Sequence, residues 1–279
     1  MKAVILCGGM ATRMLPITKS IPKEMMPVLN RPILDFLIDD LVACGVTDVL
    51  IITNRGKECI ENFYDLHPEL NYRLKETGKL ELLKDIEQIS SKANVHFIRQ
   101  ITPLGTGHAL KRAEAFVGNQ PFLFVFGDEL MYNPQKSLIK QLVDVYNKTN
   151  CSVISATTCP ISESYKYGML ELQEGKLKQI VEKPQPKDSP SDVCFLGNSV
   201  LTPQIFEHIV MQESGETGVV DAINSLASVT DVNVCMIEGE RFDVGNKLGL
   251  VKANVFYGLQ DAEIKEELKQ YLTELLDKF

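Results

Sequence analysis

A glycine turn followed by cations, close to the start of the chain, is the first feature that could carry out chemistry. A short apolar run leads directly into Gly8 and Gly9, and Arg13, Lys19 and Lys23 follow in a segment that contains four prolines. Glycine lets the backbone approach a ligand closely, and backbone N–H groups in such a turn bind anions. Because proline disfavours helix, we predict a stiff, extended loop whose cations bind a polyphosphate. A turn with solvated charges is the alternative.

Two acidic segments, far apart in the chain, could hold a metal ion. Asp128 follows the most apolar predicted strand, residues 122–126, and Asp243 stands in the string R-F-D-V-G. A carboxylate directly after a central strand lies at the edge of the sheet where ligands bind. Mg²⁺ commonly takes one or two carboxylates together with phosphate oxygens. An Asp that only stabilises a turn is the alternative at Asp128.

A second glycine-rich turn follows the strand predicted at residues 95–99. It runs from Gln100 through Gly105 into a helix, and the N-terminus of a helix favours an anion or a polar base edge. His108 lies at the start of that helix and could act as a general base. We favour a capping or packing role for it, because no carboxylate or nucleophile neighbours it in the sequence.

These side chains need a sheet that brings the ends of several strands together. The first 52 residues predict a strand, a long loop, a helix and a strand, an alternation typical of a doubly wound, mostly parallel α/β sheet. We expect one domain at residues 1–258, with a helical insertion at 57–93. Two short strands around Gly175 predict a small β insertion that forms a lid. Residues 259–279 predict an amphipathic helix, which packs on its own domain or on a second subunit.

The composition excludes several classes of protein. The 279 residues carry 29 Lys and Arg against 37 Asp and Glu, and the formal charge of −8 argues against broad nucleic-acid binding, which needs a basic face. No apolar run approaches the ~18 residues of a membrane span. The seven cysteines include no C-x-x-C pair, which is typical of reduced thiols in the cytosol. We expect a cytoplasmic protein that binds neither nucleic acid nor membrane.

The string I-P-K-E-M-M-P-V at residues 21–28 resembles the signature of the sugar nucleotidyltransferases. The family's G-D-[DE], Y-G-x, V-E-K-P and F-D-x-G motifs follow in that order, and the resemblance spans residues 1 to about 258. The helical segment at 57–93 resembles the uridylyltransferases more than the thymidylyltransferases. The resemblance implies a Rossmann-like nucleotidyltransferase fold with a small β insertion and a C-terminal helix.

The resemblance also implies which residues form the site. They are Arg13 and Lys23 as the catalytic cations at the triphosphate, Gly8, Gly9, Gln100 and Gly105 at the nucleotide, Gly168, Glu182 and Lys183 at the sugar phosphate, and Asp128 and Asp243 as the metal pair. Lys19 either assists the other two cations or is solvated.

The implied reaction is transfer of a uridylyl group from UTP to glucose 1-phosphate, assisted by Mg²⁺, in a homo-oligomer (dimer or tetramer). Departures from the family pattern at Ala11, Asn198 and Gly218 leave two alternatives. One is a non-catalytic regulatory paralogue that binds nucleotide sugars, and the other is a transferase with a different base or sugar preference. The retained cations and acids favour the enzyme, because loss of catalysis would relax these positions.

Overall fold

The structure, a computed structural model, describes residues 1–211 and 215–278. Phe279, the last residue of the predicted C-terminal helix, lies outside the described residues. The strands are β1 (Lys2–Leu6), β2 (Pro27–Val28), β3 (Arg31–Pro32), β4 (Asp48–Thr53), β5 (Asn94–Arg99), β6 (Phe122–Phe126), β7 (Glu129–Tyr132), β8 (Ser152–Thr158), β9 (Gly168–Gln173), β10 (Lys176–Glu182), β11 (Val193–Leu201), β12 (Val232–Met236) and β13 (Glu240–Asp243). The α-helices are α1 (Ile33–Ala43), α2 (Glu58–Tyr64), α3 (Pro68–Glu76), α4 (Leu80–Ser91), α5 (Thr106–Lys111), α6 (Glu114–Val117), α7 (Leu138–Thr149), α8 (Val219–Ala227), α9 (Lys247–Gly258) and α10 (Lys265–Leu276).

A mixed sheet forms the centre of the described part of the chain, with its nine strands in the order β5-β4-β1-β6-β11-β8-β12-β10-β9. The strands β5, β4, β1 and β6 run parallel, as do β8 and β12. β11 returns between β6 and β8 and is antiparallel to both. The predicted α/β class and Rossmann-like fold are confirmed, and the continuous parallel run lies in the N-terminal half of the chain.

Apolar side chains cover both faces of this sheet. Val4 and Phe124 belong to the buried cluster on one face, whereas their neighbours Ile5 and Val125 belong to the cluster on the other. Successive side chains of a strand point to opposite faces, so a strand covered on both sides needs a continuous apolar run. α5 and α8 contribute to the first cluster, and α1 and α7 contribute to the second. This double cover fixes the strands whose ends carry the site.

The segment between β1 and α1, which we call the opening loop (residues 8–32), is not extended. It contains three short 3₁₀ turns, so the extended loop predicted from its prolines is wrong. Pro16 and Pro22 stand directly before two of these turns; Pro16 has ψ −13°, and Pro22 keeps an extended ψ of 145°. The turns are Thr12–Met14, Ile17–Lys19 and Lys23–Met25.

The predicted β insertion is a hairpin, β9–β10, that extends the main sheet at its edge. β10 pairs with β12, and β9 also pairs with β11 at Met169 and Cys194. Leu170, Leu177 and Ile180 are buried in the cluster shared with α8, which holds the hairpin against the body of the protein. The hairpin therefore forms a wall of the site that is continuous with the sheet.

Helices α2, α3 and α4 occupy the segment predicted as a helical insertion, and α10 follows α9 at the end of the chain. α10 packs closely on the end of α9: the Cδ2 atom of Leu268 on α10 lies only 2.6 Å from the position that a Cβ would take at Gly258. Tyr271 and Leu276 on the same helix are 57% and 77% exposed. Within residues 1–211 and 215–278, no helix combines the length and the apolar character needed to cross a membrane.

Candidate active site

Three parallel strands end at one edge of the sheet and deliver the first site residues. β1 leads to Gly8, β5 leads into Gln100, and Asp128 follows β6 after one glycine. Parallel strands place their carboxyl ends at the same edge, which is where ligands bind in open α/β sheets. Two adjoining cavities of about 290 and 740 Å³ lie here, and Lys23 and Phe126 line both. We call them the smaller and the larger cavity.

The residues that the sequence predicts for the site all line one of these two cavities. Lys19, in contrast, is exposed and lies outside both linings. The smaller cavity is lined by Gly8, Gly9, Gln100 and Gly105, the larger by Arg13, Asp128, Gly168, Glu182, Lys183 and Asp243, and Lys23 lines both.

Lys23 is firmly held at the junction of the cavities. Its Nζ donates to Asp128 Oδ2 at 2.6 Å, and both side chains are mostly buried. Burial alone would lower the pKa of Lys23, but the carboxylates of Asp128 and Glu24 raise it above its usual value. A Cβ at Gly9 would lie 3.6 Å from the same Nζ. A permanent positive charge therefore sits beside the bare backbone of the glycine turn.

A buried ion pair that the sequence analysis missed lies directly behind Lys23. Glu24 is fully buried, and both of its carboxylate oxygens accept from Lys57 Nζ, at 2.9 and 3.0 Å. Lys57 stands before α2, so the pair ties the opening loop to the segment that follows β4. Only the apolar setting of Glu24 in the string K-E-M-M-P could have suggested a buried partner, and nothing in the sequence identifies Lys57 as that partner.

Ala11 adopts the left-handed conformation, with φ 50° and ψ 45°. Glycine takes this conformation freely, whereas a residue with a Cβ loses about 1–2 kcal/mol. Thr18 Oγ1 donates to the carbonyl of Ala11 at 2.9 Å, which closes the turn from the other side. Ala11 therefore departs from the family pattern in residue type but keeps the left-handed backbone that suits glycine.

The pairing of β7 with β13 explains how two distant acids meet. Asp243 at the end of β13 is the register partner of Glu129 at the start of β7, and Asp128 directly precedes Glu129. Arg241 Nε donates to Glu129 at 2.5 Å, which anchors this short two-stranded sheet. Burial alone would lower the pKa of Arg241, but the Glu129 carboxylate raises it. Arg241 also lines the larger cavity, a position that the sequence analysis did not single out.

Gly245 leaves open the space between the two acids. A Cβ at Gly245 would lie 3.2 Å from Asp243 Oδ1, 3.4 Å from Asp128 Oδ2 and 2.9 Å from Arg13 Nη2. This cradle of two carboxylate oxygens fits a hard cation such as Mg²⁺, which prefers oxygen ligands. Among the described residues there is no cluster of three or more His, Cys, Asp or Glu arranged for a metal. Phosphate oxygens or water would therefore have to complete the coordination.

The smaller cavity is built on Gln100 and Gly105. Gly105 has φ 95°, and a Cβ there would lie 2.5 Å from the carbonyl oxygen of Thr217, so only glycine fits. Gln100 is 5% exposed, and its Nε2 lies 2.9 Å from both Gly105 O and His108 Nδ1. His108 lines neither cavity, which agrees with the packing role that we favoured over a general base. Burial and Arg112 lower the pKa of His108.

The hairpin β9–β10 supplies the far side of the larger cavity. Glu182 is the register partner of Gly168, and a Cβ at Gly168 would lie 3.4 Å from Glu182 Oε1. Adjacent residues on a strand point to opposite faces, so Glu182 and Lys183 would diverge if the strand continued. Instead, Lys183 has φ 46°, and its N–H donates to Tyr167 O at 2.9 Å. This left-handed residue allows both side chains to line one cavity.

The two remaining departures from the family pattern have structural roles. Asn198 is fully buried, and its Oδ1 accepts from the backbone N–H of Phe126 at 3.0 Å, which holds the end of β6. Gly218 directly precedes α8, and its carbonyl oxygen would lie 2.7 Å from a Cβ at Gly107. The starts of α5 and α8 therefore meet at backbone-to-backbone distance beside the smaller cavity.

Known proteins resemble this chain over almost its whole length. A family model described as nucleotidyl transferase matches residues 2–260. The chain is 39% identical over 286 residues to UTP–glucose-1-phosphate uridylyltransferase 2 of Streptococcus pyogenes serotype M3, covering 98% of this chain and 95% of that protein. It is 40% identical, with the same coverage, to the UTP–glucose-1-phosphate uridylyltransferase of Streptococcus pneumoniae serotype 4.

Solved structures extend the similarity to the fold. A UTP-bound UGPase from Acinetobacter baumannii superposes with a TM-score of 0.91 at 32% identity, covering 98% of this chain and 99% of that one. A UDP-glucose pyrophosphorylase complexed with UDP-glucose superposes with a TM-score of 0.82 at 31% identity, covering 93% of this chain and 99% of that one. The resemblance inferred from the sequence is confirmed.

Proposed function

The chain belongs to the nucleotidyl transferase family, and we propose that it transfers the uridylyl group of UTP to glucose 1-phosphate, forming UDP-glucose and pyrophosphate. One observation carries this proposal: the two adjoining cavities meet at Lys23, which is paired with Asp128. A nucleotide in the smaller cavity would place its phosphates at this junction, facing a sugar phosphate in the larger one. The similarity to structures with UTP and with UDP-glucose bound supports this choice of substrates.

In this proposal the smaller cavity holds the nucleotide. Gln100 and Gly105 bind the uracil edge, and the backbone of Gly8 and Gly9 approaches the ribose and phosphates. Lys23 then lies where the triphosphate enters the junction. Arg13, 65% exposed, lies at the larger cavity beside Asp243 and closes on the phosphates from the solvent side. Cations placed in this way stabilise the charge that develops on the leaving pyrophosphate.

The larger cavity holds glucose 1-phosphate. The backbone of Gly168 and the carboxylate of Glu182 bind sugar hydroxyls, and Lys183 binds the phosphate. The left-handed conformation of Lys183 supports this assignment, because strained backbone at a non-glycine residue is concentrated at functional sites. Tyr167 and Arg241 lie in the same lining and complete the polar wall.

The reaction needs no nucleophilic side chain. A phosphate oxygen of glucose 1-phosphate attacks the α-phosphorus of UTP, the bond from that phosphorus to the bridging oxygen of the β-phosphate breaks, and its electron pair leaves with pyrophosphate. The attacking phosphate has a second pKa near 6, so it is largely ionised at neutral pH and no general base is needed. The protein brings two anions together and excludes competing water from between them.

Asp128 and Asp243 would hold Mg²⁺, which would neutralise phosphate charge when bound. In the structure these acids pair with Lys23 and Arg13, at 2.6 and 3.4 Å. With the acids holding Mg²⁺, both cations would be available to the phosphates. Such an exchange of partners would keep each charged group compensated before and after substrate binding.

The proposal is tested by mixing the protein with UTP, glucose 1-phosphate and Mg²⁺ and measuring released pyrophosphate. We expect release with UTP, and much less with CTP as the sole nucleotide; comparison with dTTP then defines the base preference. Asp128→Ala, with the fold verified by circular dichroism, should abolish Mg²⁺-dependent turnover. If no combination of a common nucleoside triphosphate with a sugar 1-phosphate releases pyrophosphate, the proposed activity is refuted. That result would support the alternative of a non-catalytic paralogue.

We also propose a homo-oligomer, dimer or tetramer, in the cytoplasm. The exposed Tyr271 and Leu276 on α10 support an oligomer, because a second copy of the chain could cover them. The cytoplasm is where nucleoside triphosphate substrates are made. Light scattering after size exclusion should give a multiple of the 31.2 kDa chain mass, and Leu276→Glu should reduce it. A monomer at micromolar concentration would refute the oligomer.

A further inference from the structure

Gln100 has an amide whose orientation is fixed by its surroundings. Its nitrogen lies 2.9 Å from Gly105 O, a carbonyl that can only accept and that also accepts from Ala109 N. An amide oxygen in the same place would face the carbonyl oxygen and repel it. The nitrogen therefore points toward α5, which turns the other end of the amide, Oε1, toward Gly8, whose Cβ position lies 3.3 Å from it.

The same nitrogen lies 2.9 Å from His108 Nδ1. Because Gln100 Nε2 is the donor, Nδ1 must accept, so His108 is neutral and carries its proton on Nε2. Burial and the cation of Arg112, which directly follows α5, both lower the pKa of His108 and favour this form. Lys2 on β1, Arg99 at the end of β5, Glu216 before α8 and Asp221 on α8 are charged groups on the neighbouring elements. Among the described residues, none of these four forms a hydrogen bond or ion pair with the ring.

An acceptor at Gln100 Oε1 distinguishes between pyrimidines. Uracil carries a hydrogen on N3 and can donate to it, whereas cytosine carries a bare N3 and would face it with a second acceptor. No donor among the described residues hydrogen-bonds to Oε1, so this atom remains available to a ligand in the smaller cavity. A reversed amide would present Nε2 instead and favour cytosine.

We propose that His108 is a positioning residue for base selection: together with Gly105 O it accepts from Gln100 Nε2, keeps Oε1 toward the nucleotide and so favours uracil over cytosine. This inference rests on the proposed function for its substrate. His108 itself touches no substrate in this scheme and acts only through Gln100. Its effect should therefore appear in the choice between bases and not in the chemical step.

The parent protein and two variants test the proposal. His108→Phe keeps the ring and removes the acceptor, whereas His108→Asn places an amide oxygen close to the position of Nδ1. The quantity measured is the ratio of kcat/KM for UTP to that for CTP, with glucose 1-phosphate and Mg²⁺. We expect the ratio to fall about five- to tenfold in His108→Phe, the size of one neutral hydrogen bond, through a higher KM for UTP. We expect His108→Asn to restore most of the ratio.

The pH dependence of the ratio separates positioning from simple packing. A protonated His108 can no longer accept from Gln100, so the ratio in the parent protein should fall as the pH drops through the pKa of His108. The protonation of glucose 1-phosphate cancels in the ratio because both reactions share it. In His108→Asn the ratio should be independent of pH over the range in which cytosine N3 stays unprotonated, since this side chain does not titrate.

Direct binding keeps this test independent of the proposed reaction. The affinities of UDP and CDP, measured by calorimetry, should show the same shifts as the kinetic ratios. If pyrophosphate is never released but the preference for UDP falls in His108→Phe and returns in His108→Asn, the proposed reaction fails and the role of His108 stands. A ratio that changes less than twofold in His108→Phe, or that is equally low in His108→Asn, overturns the role of His108.

Discussion

Replacing Lys57 with methionine should lower the stability of the folded protein, because it leaves the buried carboxylate of Glu24 without its partner. Glu24 is fully buried and Lys57 is 6% exposed, and each ion has the other as a close charged partner. Removing one partner of a buried pair typically costs about 3–5 kcal/mol, because the remaining charge is left uncompensated in a medium of low polarity. For a chain of this size such a loss lowers the melting temperature by roughly 6 to 20 °C.

The effect should depend on pH in a defined direction. Burial raises the pKa of Glu24, and Lys57 and Lys23 partly offset that rise. Without Lys57 the pKa of Glu24 rises further, so the folded state holds this proton more tightly than the unfolded state does. A carboxylate with a raised folded pKa favours folding at acid pH, and that contribution is lost as the pH rises through the folded pKa. The stability gap between Lys57→Met and the parent should therefore widen as the pH rises through the raised folded-state pKa of Glu24, and level off above it.

A double-mutant cycle supplies the control. Denaturant unfolding of the parent, Lys57→Met, Glu24→Leu and the double variant should give two strongly destabilised single variants and a double variant close to the parent, because an apolar pair of similar volume can replace a buried ion pair. Lys57→Met should also lower kcat/KM, by up to about 10²-fold, since Lys23 is displaced with Glu24. A single variant within about 1 kcal/mol of the parent, or strictly additive effects, would refute the reasoning.

Three further outcomes are expected. Ala11→Gly should stabilise the protein by about 1 kcal/mol in thermal melts and leave or improve UTP affinity, since the left-handed backbone is retained; a loss of stability would show that the methyl group contributes packing. Asp128→Asn should bind UTP more tightly than the parent without metal, as measured by calorimetry, because Lys23 is released, and should lose Mg²⁺-dependent turnover; weaker metal-free binding would contradict the exchange of partners. Lys183→Gln should raise the KM for glucose 1-phosphate tenfold or more and change the KM for UTP less than threefold, and equal effects on both would place Lys183 elsewhere.

Much of the fold and site follows from local patterns. The apolar run before Gly8 and the acid after β6 mark strand ends, and parallel strands bring such ends together. What the sequence could not provide is the pairing between distant segments. The register of β7 with β13, which brings Asp243 beside Asp128, depends on which strands meet in space and leaves no local trace.

A second feature that could not be predicted from the sequence is local backbone conformation that depends on the whole fold. The prolines of the opening loop indicated an extended backbone, whereas Arg13, Lys19 and Lys23 each lie in a 3₁₀ turn. For Lys183, the proline that follows disfavours helix but does not by itself predict a left-handed residue. Lys57, the partner of Glu24, likewise shows nothing in its local sequence that distinguishes it from a solvated loop lysine.

The two resting ion pairs of the site differ in how much motion they leave to their cations. Lys23, 19% exposed and 2.6 Å from its acid, has already lost most of its rotamer freedom on folding, a loss of up to about 2 kcal/mol that substrate binding need not repeat. Arg13, 65% exposed and 3.4 Å from its acid, keeps that freedom until a ligand orders it. The site therefore combines a preorganised cation at the junction of the cavities with an adaptable one at the entrance. In the proposed reaction, Arg13 would follow the phosphates from the bound triphosphate to the departing pyrophosphate while Lys23 stays in place.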